Sequence, residues 1–207
     1  MPIILYSDFK PGVSDMVDDA MLRQLAGTSC RVAYIPSDSD TKRRYFRKTE
    51  DDYRRVGISS LFYFDLGAEY DESAMPTLFQ HDAIHLSGGD PVRFMDLIKQ
   101  RKFAHPLKKY LQTGGTLIGV SAGAMILTPT LGLLPAIDDT PVVKTSLNAL
   151  GILDFEFYPH FKGDNKTEAK LSAYAKAKNT RLYACDDDAG LMIKDNVVTK
   201  LGPVARF

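Results

Sequence analysis

The sequence predicts an α/β fold, a doubly wound and mostly parallel sheet with helices on both faces. Three observations carry this. Over about the first 130 residues, short apolar runs alternate with helix-compatible stretches, the pattern of repeated strand–helix–strand units. Glycine-rich or polar segments follow several strand ends, as at Ser87-Gly88-Gly89-Asp90, where open α/β sheets hold their sites. Gly119-Val120-Ser121-Ala122-Gly123 reads G-x-S-x-G between a run of β-formers and a helix-compatible run, the pattern of a sharp strand-to-helix turn with a serine at its apex.

The elements follow in order. Residues 2–6 form a first strand, and Ser14 can cap an apolar-periodic helix that follows it. A second strand over 31–35 ends at Pro36-Ser37-Asp38. A charged helix over 41–56 carries Tyr45, Phe46 and Tyr53 on its inner face. The third strand is 61–66, a weak helix covers 72–79, and the fourth strand is 83–86. Pro91 suits the first turn of a helix reaching about residue 100, since its missing N–H is unpaired there in any residue. A helix over 106–112 stops at Gly114-Gly115, and the fifth strand leads into Ser121. Residues 129–150, with Pro129, Pro135 and Pro141, read as a long loop or hairpin. A strand over 155–158, a helix over 168–177 and short strands over 181–185, 191–193 and 197–201 close the chain. No repeat or linker divides the 207 residues, which are expected to form one hydrolytic domain.

Composition narrows the functional classes. The 26 basic and 26 acidic residues cancel, so neither nucleic acid nor an anionic membrane is an expected partner. The basic cluster Lys42-Arg43-Arg44 is offset by Glu50, Asp51 and Asp52 and reads as a solvated helix face. The two cysteines, Cys30 and Cys185, have no metal-binding spacing. The first strand begins at once, without a signal peptide, and no apolar run reaches membrane-spanning length. A cytoplasmic protein acting as a monomer or homodimer, with no cofactor and no metal, is the expectation.

The chemistry centres on Ser121. Flanking glycines leave room for a strained backbone, and the first N–H groups of the next helix can face a developing oxyanion. The plain alternative is a glycine-rich turn with an incidental serine. A serine hydroxyl needs a base, and four histidines are available. His85 alternates within a strand and reads as packed, while His81 and His105 lie beside turn or helix-start signals. His160 follows a strand in Tyr158-Pro159-His160-Phe161 and opens a polar stretch, so a rigid strand-end loop can hold it as the base. Two acidic clusters compete to orient its ring, Asp138-Asp139 and Asp186-Asp187-Asp188.

Three motifs in order resemble those of the dipeptidase E (aspartyl dipeptidase) family of serine peptidases, to which cyanophycinase is similar. Gly119 to Ala124 resembles its G-x-S-A-G-A nucleophile motif, Ser87-Gly88-Gly89-Asp90 its S-G-G-N motif, and Pro159-His160-Phe161 its P-H-F motif. The matches cover roughly residues 80–193. The resemblance implies a flavodoxin-like, three-layer fold similar to class I glutamine amidotransferases, with serine in place of their cysteine. It implies Ser121 as nucleophile, His160 as base and an oxyanion hole from the N–H groups of Gly89 and Ala122. The family's late glutamate, in an E-G-x-x-L-like context, is matched by Asp187 in Asp187-Asp188-Ala189-Gly190-Leu191, one methylene shorter. Asp139 matches an N-D-x-P context, and Asp90 stands where the family has asparagine. Gly88, Asp90 and Asp139 are therefore candidate substrate-binding residues, Asp90 for the free amino group of a peptide.

The leading expectation is a serine exopeptidase acting on small peptides through an acyl-enzyme. An α/β-hydrolase esterase with Ser121, Asp139 and His160 fits the order Ser, Asp, His. The separation of 39 positions between Ser121 and His160 (160 − 121) is short for it. A binding protein that keeps the fold with a dead site is the non-enzymatic alternative.

Overall fold

The computed structural model describes residues 1–10, 15–25, 29–59, 61–137 and 147–207. The chain runs β1 (Ile3–Tyr6), α1 (Asp15–Gln24), β2 (Val32–Ile35), α2 (Arg44–Arg55) and β3 (Leu61–Tyr63), then a 3-10 turn (Glu72–Ala74) into α3 (Met75–Leu78). There follow β4 (Ala83–Leu86), α4 (Pro91–Gln100), α5 (Ala104–Gln112), β5 (Thr116–Val120), α6 (Ala122–Met125) and α7 (Leu133–Ile137). The last third holds β6 (Phe155–Tyr158), α8 (Asn165–Lys178), β7 (Arg181–Cys185), β8 (Gly190–Lys194), β9 (Val197–Leu201) and β10 (Val204–Arg206).

The main sheet has the order β3-β2-β4-β5-β1-β8-β9. Its first five strands are parallel, and β8 and β9 add an antiparallel edge. Alternation along the strands sorts the core into two layers. Ile3, Leu5, Ile35, Ile84, Leu86 and Leu117 face a cluster with Phe94 and Leu97 of α4 and Leu107 of α5. Ile4, Tyr6, Val32, Ala83, Ile118 and Val120 face Val17 and Met21 of α1 and Tyr53 of α2. The helices thus cover both faces of a doubly wound α/β sheet, giving three layers.

A second, three-stranded sheet, β10-β7-β6, stands apart from the first. β6 and β7 run parallel, and β10 is antiparallel to β7. Phe155, Phe157, Tyr183 and Cys185 turn toward the main core. Leu182 and Ala184 turn the other way, onto Leu133 and Ile137 of α7 and Leu171 and Tyr174 of α8.

Local expectations change in three places. Tyr45 is not on the inner face of α2 but 66% exposed. Tyr53 is buried and Phe46, seven residues earlier on the same stripe, is half-buried, whereas Tyr45 lies about 80° round the helix from Tyr53. Residues 129–150 are not loop throughout, since 133–137 form α7. Pro135 is accommodated because the first N–H groups of a helix have no partner within it. The closing strands belong to two sheets, and β10 is an added strand. The Ser14 cap lies outside the described residues. No helix among the described residues is long and apolar enough to cross a membrane.

The elbow is set by a close approach. α6 packs on β4 and β5 so tightly that a Cβ on Gly123 would lie 2.1 Å from the backbone oxygen of Leu86. On Gly119 it would lie 2.8 Å from Cα of Ala124. Gly123→Ala is therefore expected to destabilise the protein by about 3 kcal/mol, the upper range for overpacking against backbone, read by urea denaturation. A loss below about 1 kcal/mol would mean that α6 can lift off β4.

Candidate active site

Four strands deliver the candidate residues from their carboxyl ends. β5 runs into Ser121, whose φ of 47° and ψ of −106° lie outside the regions ordinary L-residues favour. The turn is held from three sides. The Ser121 N–H donates to the Tyr6 carbonyl at 3.0 Å, and the Ser121 carbonyl accepts from the N–H groups of Ala124 and Met125. β4 runs into Ser87-Gly88-Gly89. Gly88 faces Ser121, where a Cβ would lie 3.6 Å from the serine Cβ. Gly89 has φ +131°, and a Cβ there would strike Ser37 Oγ, so glycine is required on both counts.

The candidate base, His160, arrives from the second sheet. After β6 the chain passes Pro159 to His160, at φ 60°. Ser121 Oγ lies 3.0 Å from His160 Nε2, and His160 Nδ1 lies 2.7 Å from Asp187 Oδ1. With Nδ1 carrying the proton donated to Asp187, Nε2 is left to accept from Ser121. Asp187 follows β7. The structure thus brings Ser121, His160 and Asp187 into one hydrogen-bonded line, from two sheets.

Two residues outside the sequence reading tie that line together. Ser7, at the end of β1, accepts from the His160 N–H at 2.7 Å through its Oγ and donates to the Cys185 carbonyl at 3.0 Å. The same carbonyl accepts from the Phe161 N–H. One buried hydroxyl therefore joins the main sheet to the ends of both β6 and β7. Lys162 Nζ lies 2.5 Å from Asp187 Oδ2 and 3.1 Å from Asp186 Oδ1. Lys10 stands 4.0 Å from Asp187 Oδ2 and is itself paired with Asp8. The Lys162 bond, then the His160 bond, draws the Asp187 carboxyl down to about 2. No local sequence signal marks Ser7 or Lys162, because their contacts span long stretches of chain.

The remaining candidates separate. Asp90 Oδ1 accepts from the N–H groups of Val92 and Arg93 and caps α4, a task asparagine performs equally well. Asp139 and Asp138 lie outside the described residues. His85 is buried, bonded to the Tyr53 hydroxyl at 2.9 Å, and burial lowers its pKa to about 3. His81 contacts the Thr77 carbonyl and stacks on Phe62, away from Ser121, and His105 is exposed.

Ser121, Gly89, Ala122, Met125, Tyr158 and His160 line a cavity of about 240 Å³. Beyond Gly88 and Gly89 a larger cavity of about 690 Å³ opens, lined by Phe9, Tyr34, Asp38 and Asp90 among others. The fold is shared with a solved structure described as a putative peptidase E from Listeria monocytogenes. That match has a TM-score of 0.73 at 20% identity and covers 96% of each chain. Among curated proteins, the uncharacterized peptidase YgaJ of Bacillus subtilis is 23% identical over 179 residues, 84% of this chain and 74% of that protein. Peptidase E of a Nostoc species is 24% identical over 149 residues, 68% of this chain and 56% of that protein.

Family and relatives define a serine-type peptidase acting on small peptides, of the dipeptidase E kind. The model of peptidase family S51 matches residues 5–201, and the chain belongs to that family.

The acid end of the line gives a direct solution test. Asp187 is held at about 2 against an ordinary 3.8. A depressed carboxyl contributes stability that is complete above its unfolded value and lost as pH falls through its folded one. The Asp187 carboxyl carbon is expected to titrate by NMR near pH 2, with only a shallow slope of stability against pH between about 4 and 2 because solvent screens the exposed Lys162 pair. A midpoint near 4 would show that these contacts do not form in solution.

Proposed function

We propose that Ser121 is the nucleophile, His160 the general base and Asp187 the acid that orients it, and that the chain works as one hydrolytic domain. The 3.0 Å and 2.7 Å contacts on opposite nitrogens of one imidazole are the observation that carries this reading. Ser121 Oγ attacks the scissile carbonyl carbon, and its proton passes to His160 Nε2. The carbonyl oxygen becomes an oxyanion, for which the N–H groups of Gly89 and Ala122 are the proposed donors. As the C–N bond breaks, His160 returns the proton to the leaving amine and an ester remains on Ser121. Water then adds to the ester carbon, its proton taken by His160, and the C–O bond breaks to restore the serine hydroxyl.

The 240 Å³ cavity at Ser121 matches a residue or two of peptide better than a folded protein. Gly88 and Asp90 border the adjoining cavity and are the proposed substrate-side residues. Asp90 does so while capping α4, so its second oxygen is the one that can meet an amino group. The rival acid, Asp139, is the weaker choice because Asp187 already meets His160 Nδ1. Two free cysteines and a net charge of zero support action in the cytoplasm, as a monomer or homodimer without nucleic acid or membrane partners.

Ser121→Ala is expected to fold normally and to lose turnover on a dipeptide panel by several orders of magnitude, as loss of a triad nucleophile does elsewhere. A fluorophosphonate probe should label the wild type at Ser121 and leave the variant unmarked. Retained turnover in the purified variant would remove Ser121 from the mechanism.

The acid is tested separately. Asp187→Asn presents the wrong partner to Nδ1 and is expected to lower kcat by about 10³ to 10⁴, by analogy with the same exchange in a serine protease. A crippled Asp139→Asn beside a near-normal Asp187→Asn would transfer the role to Asp139.

A further inference from the structure

Lys162 sits two residues after His160, on the same loop, yet its ammonium reaches across to the turn that carries Asp187. It meets Asp187 Oδ2 at 2.5 Å while His160 Nδ1 meets Oδ1 at 2.7 Å. It also meets Asp186 Oδ1, which in turn accepts from the Asp187 N–H at 2.7 Å. The two oxygens of Asp187 therefore have different partners, and both partners belong to the loop that carries the base. An aspartate side chain has two rotatable bonds, and a bond to one oxygen alone leaves the carboxylate free to swing. A second bond on the other oxygen fixes its plane relative to the imidazole.

We infer that Lys162 is a positioning residue that clamps Asp187 against His160 and sets the pH at which Ser121 becomes reactive. The inference rests on the proposed roles of Ser121, His160 and Asp187.

Stability does not explain the contact. The Lys162 side chain is 58% exposed and that of Asp187 30%, and ion pairs so placed add little to folding. The electrostatic effect falls on the base. His160 must be neutral to accept the serine proton, so reactivity is lost as pH falls and the imidazolium forms. Asp187 favours the imidazolium. Lys162 opposes it by holding the other oxygen of the same carboxylate. The other charged groups around the line are Lys10, Asp8 and Asp186, and all remain when Lys162 is replaced. Removing the Lys162 charge should therefore move the acid limb of reactivity to higher pH.

The test follows the rate of Ser121 labelling by a fluorophosphonate probe against pH, which needs no knowledge of the natural peptide. In Lys162→Met the acid limb is expected to rise by roughly half a pH unit, cutting the rate on that limb about threefold, the scale of one exposed charge a few ångströms away. Lys162→Arg should restore the wild-type limb, and thermal midpoints should be alike in all three proteins. In 1 M salt, where screening acts within about 3 Å, the gap between wild type and Lys162→Met should narrow. An unmoved limb in Lys162→Met, or equal shifts in the Met and Arg variants, overturns the role of Lys162 while leaving the triad intact. Loss of thermal stability together with labelling assigns Lys162 to the fold and also overturns it. A wild type that does not label at Ser121 removes the triad reading itself, and the inference with it.

Discussion

The structure turns on three backbones meeting where no side chain fits. β5 must stop, reverse its backbone torsion at Ser121 and enter α6 while lying against the end of β4. Gly123 allows it on one side, within reach of the Leu86 carbonyl, and Gly119 on the other, against Ala124. The strain at Ser121 is held by bonds from its neighbours in the fold, including the Tyr6 carbonyl at the end of β1. A serine so constrained has little choice of direction, which is what a nucleophile needs before any base is added.

Everything else in the site is brought to that fixed point. The second sheet supplies His160 and Asp187 from adjacent parallel strands, β6 and β7, so their spacing is inherited from a strand pair rather than from loop conformation. Ser7 sets the height of that pair relative to the main sheet with one buried hydroxyl used as both donor and acceptor. Leaving either partner unmade would strand a buried polar group, a costlier outcome than the bond's own worth.

Much of this could be read in the sequence, for reasons that differ by element. Strand and helix alternation marked the parallel sheet because both periods are local. Pro91 marked the start of α4 to the residue, since proline is tolerated in a first turn. Asp90, the cap before it, was read instead as a substrate group. The segment 133–137 was hidden because Pro135 argues against helix unless it falls in a first turn. Tyr45 was placed inward because an aromatic residue beside Phe46 suggests burial, whereas the helical angle decides it. The division of the last strands between two sheets was illegible, as alternation records that a face is buried and not what buries it. Ser7 and Lys162 were out of reach for a related reason: Ser7 meets a residue 153 positions away and Lys162 one 25 away.

The two halves of the site are built from different materials. The Ser121 half is fixed by main chain and by the absence of side chains at Gly119 and Gly123. The half that carries His160 and Asp187 is fixed by side chains: one hydroxyl, one imidazole, one carboxylate, one ammonium. Substitution meets these halves unequally. A methyl group added to the first has nowhere to go, whereas the second can absorb a shorter acid if a neighbouring side chain takes up the slack. Changes of side chain are therefore better borne at the Asp187 end of the site, where they leave undisturbed the turn that holds Ser121.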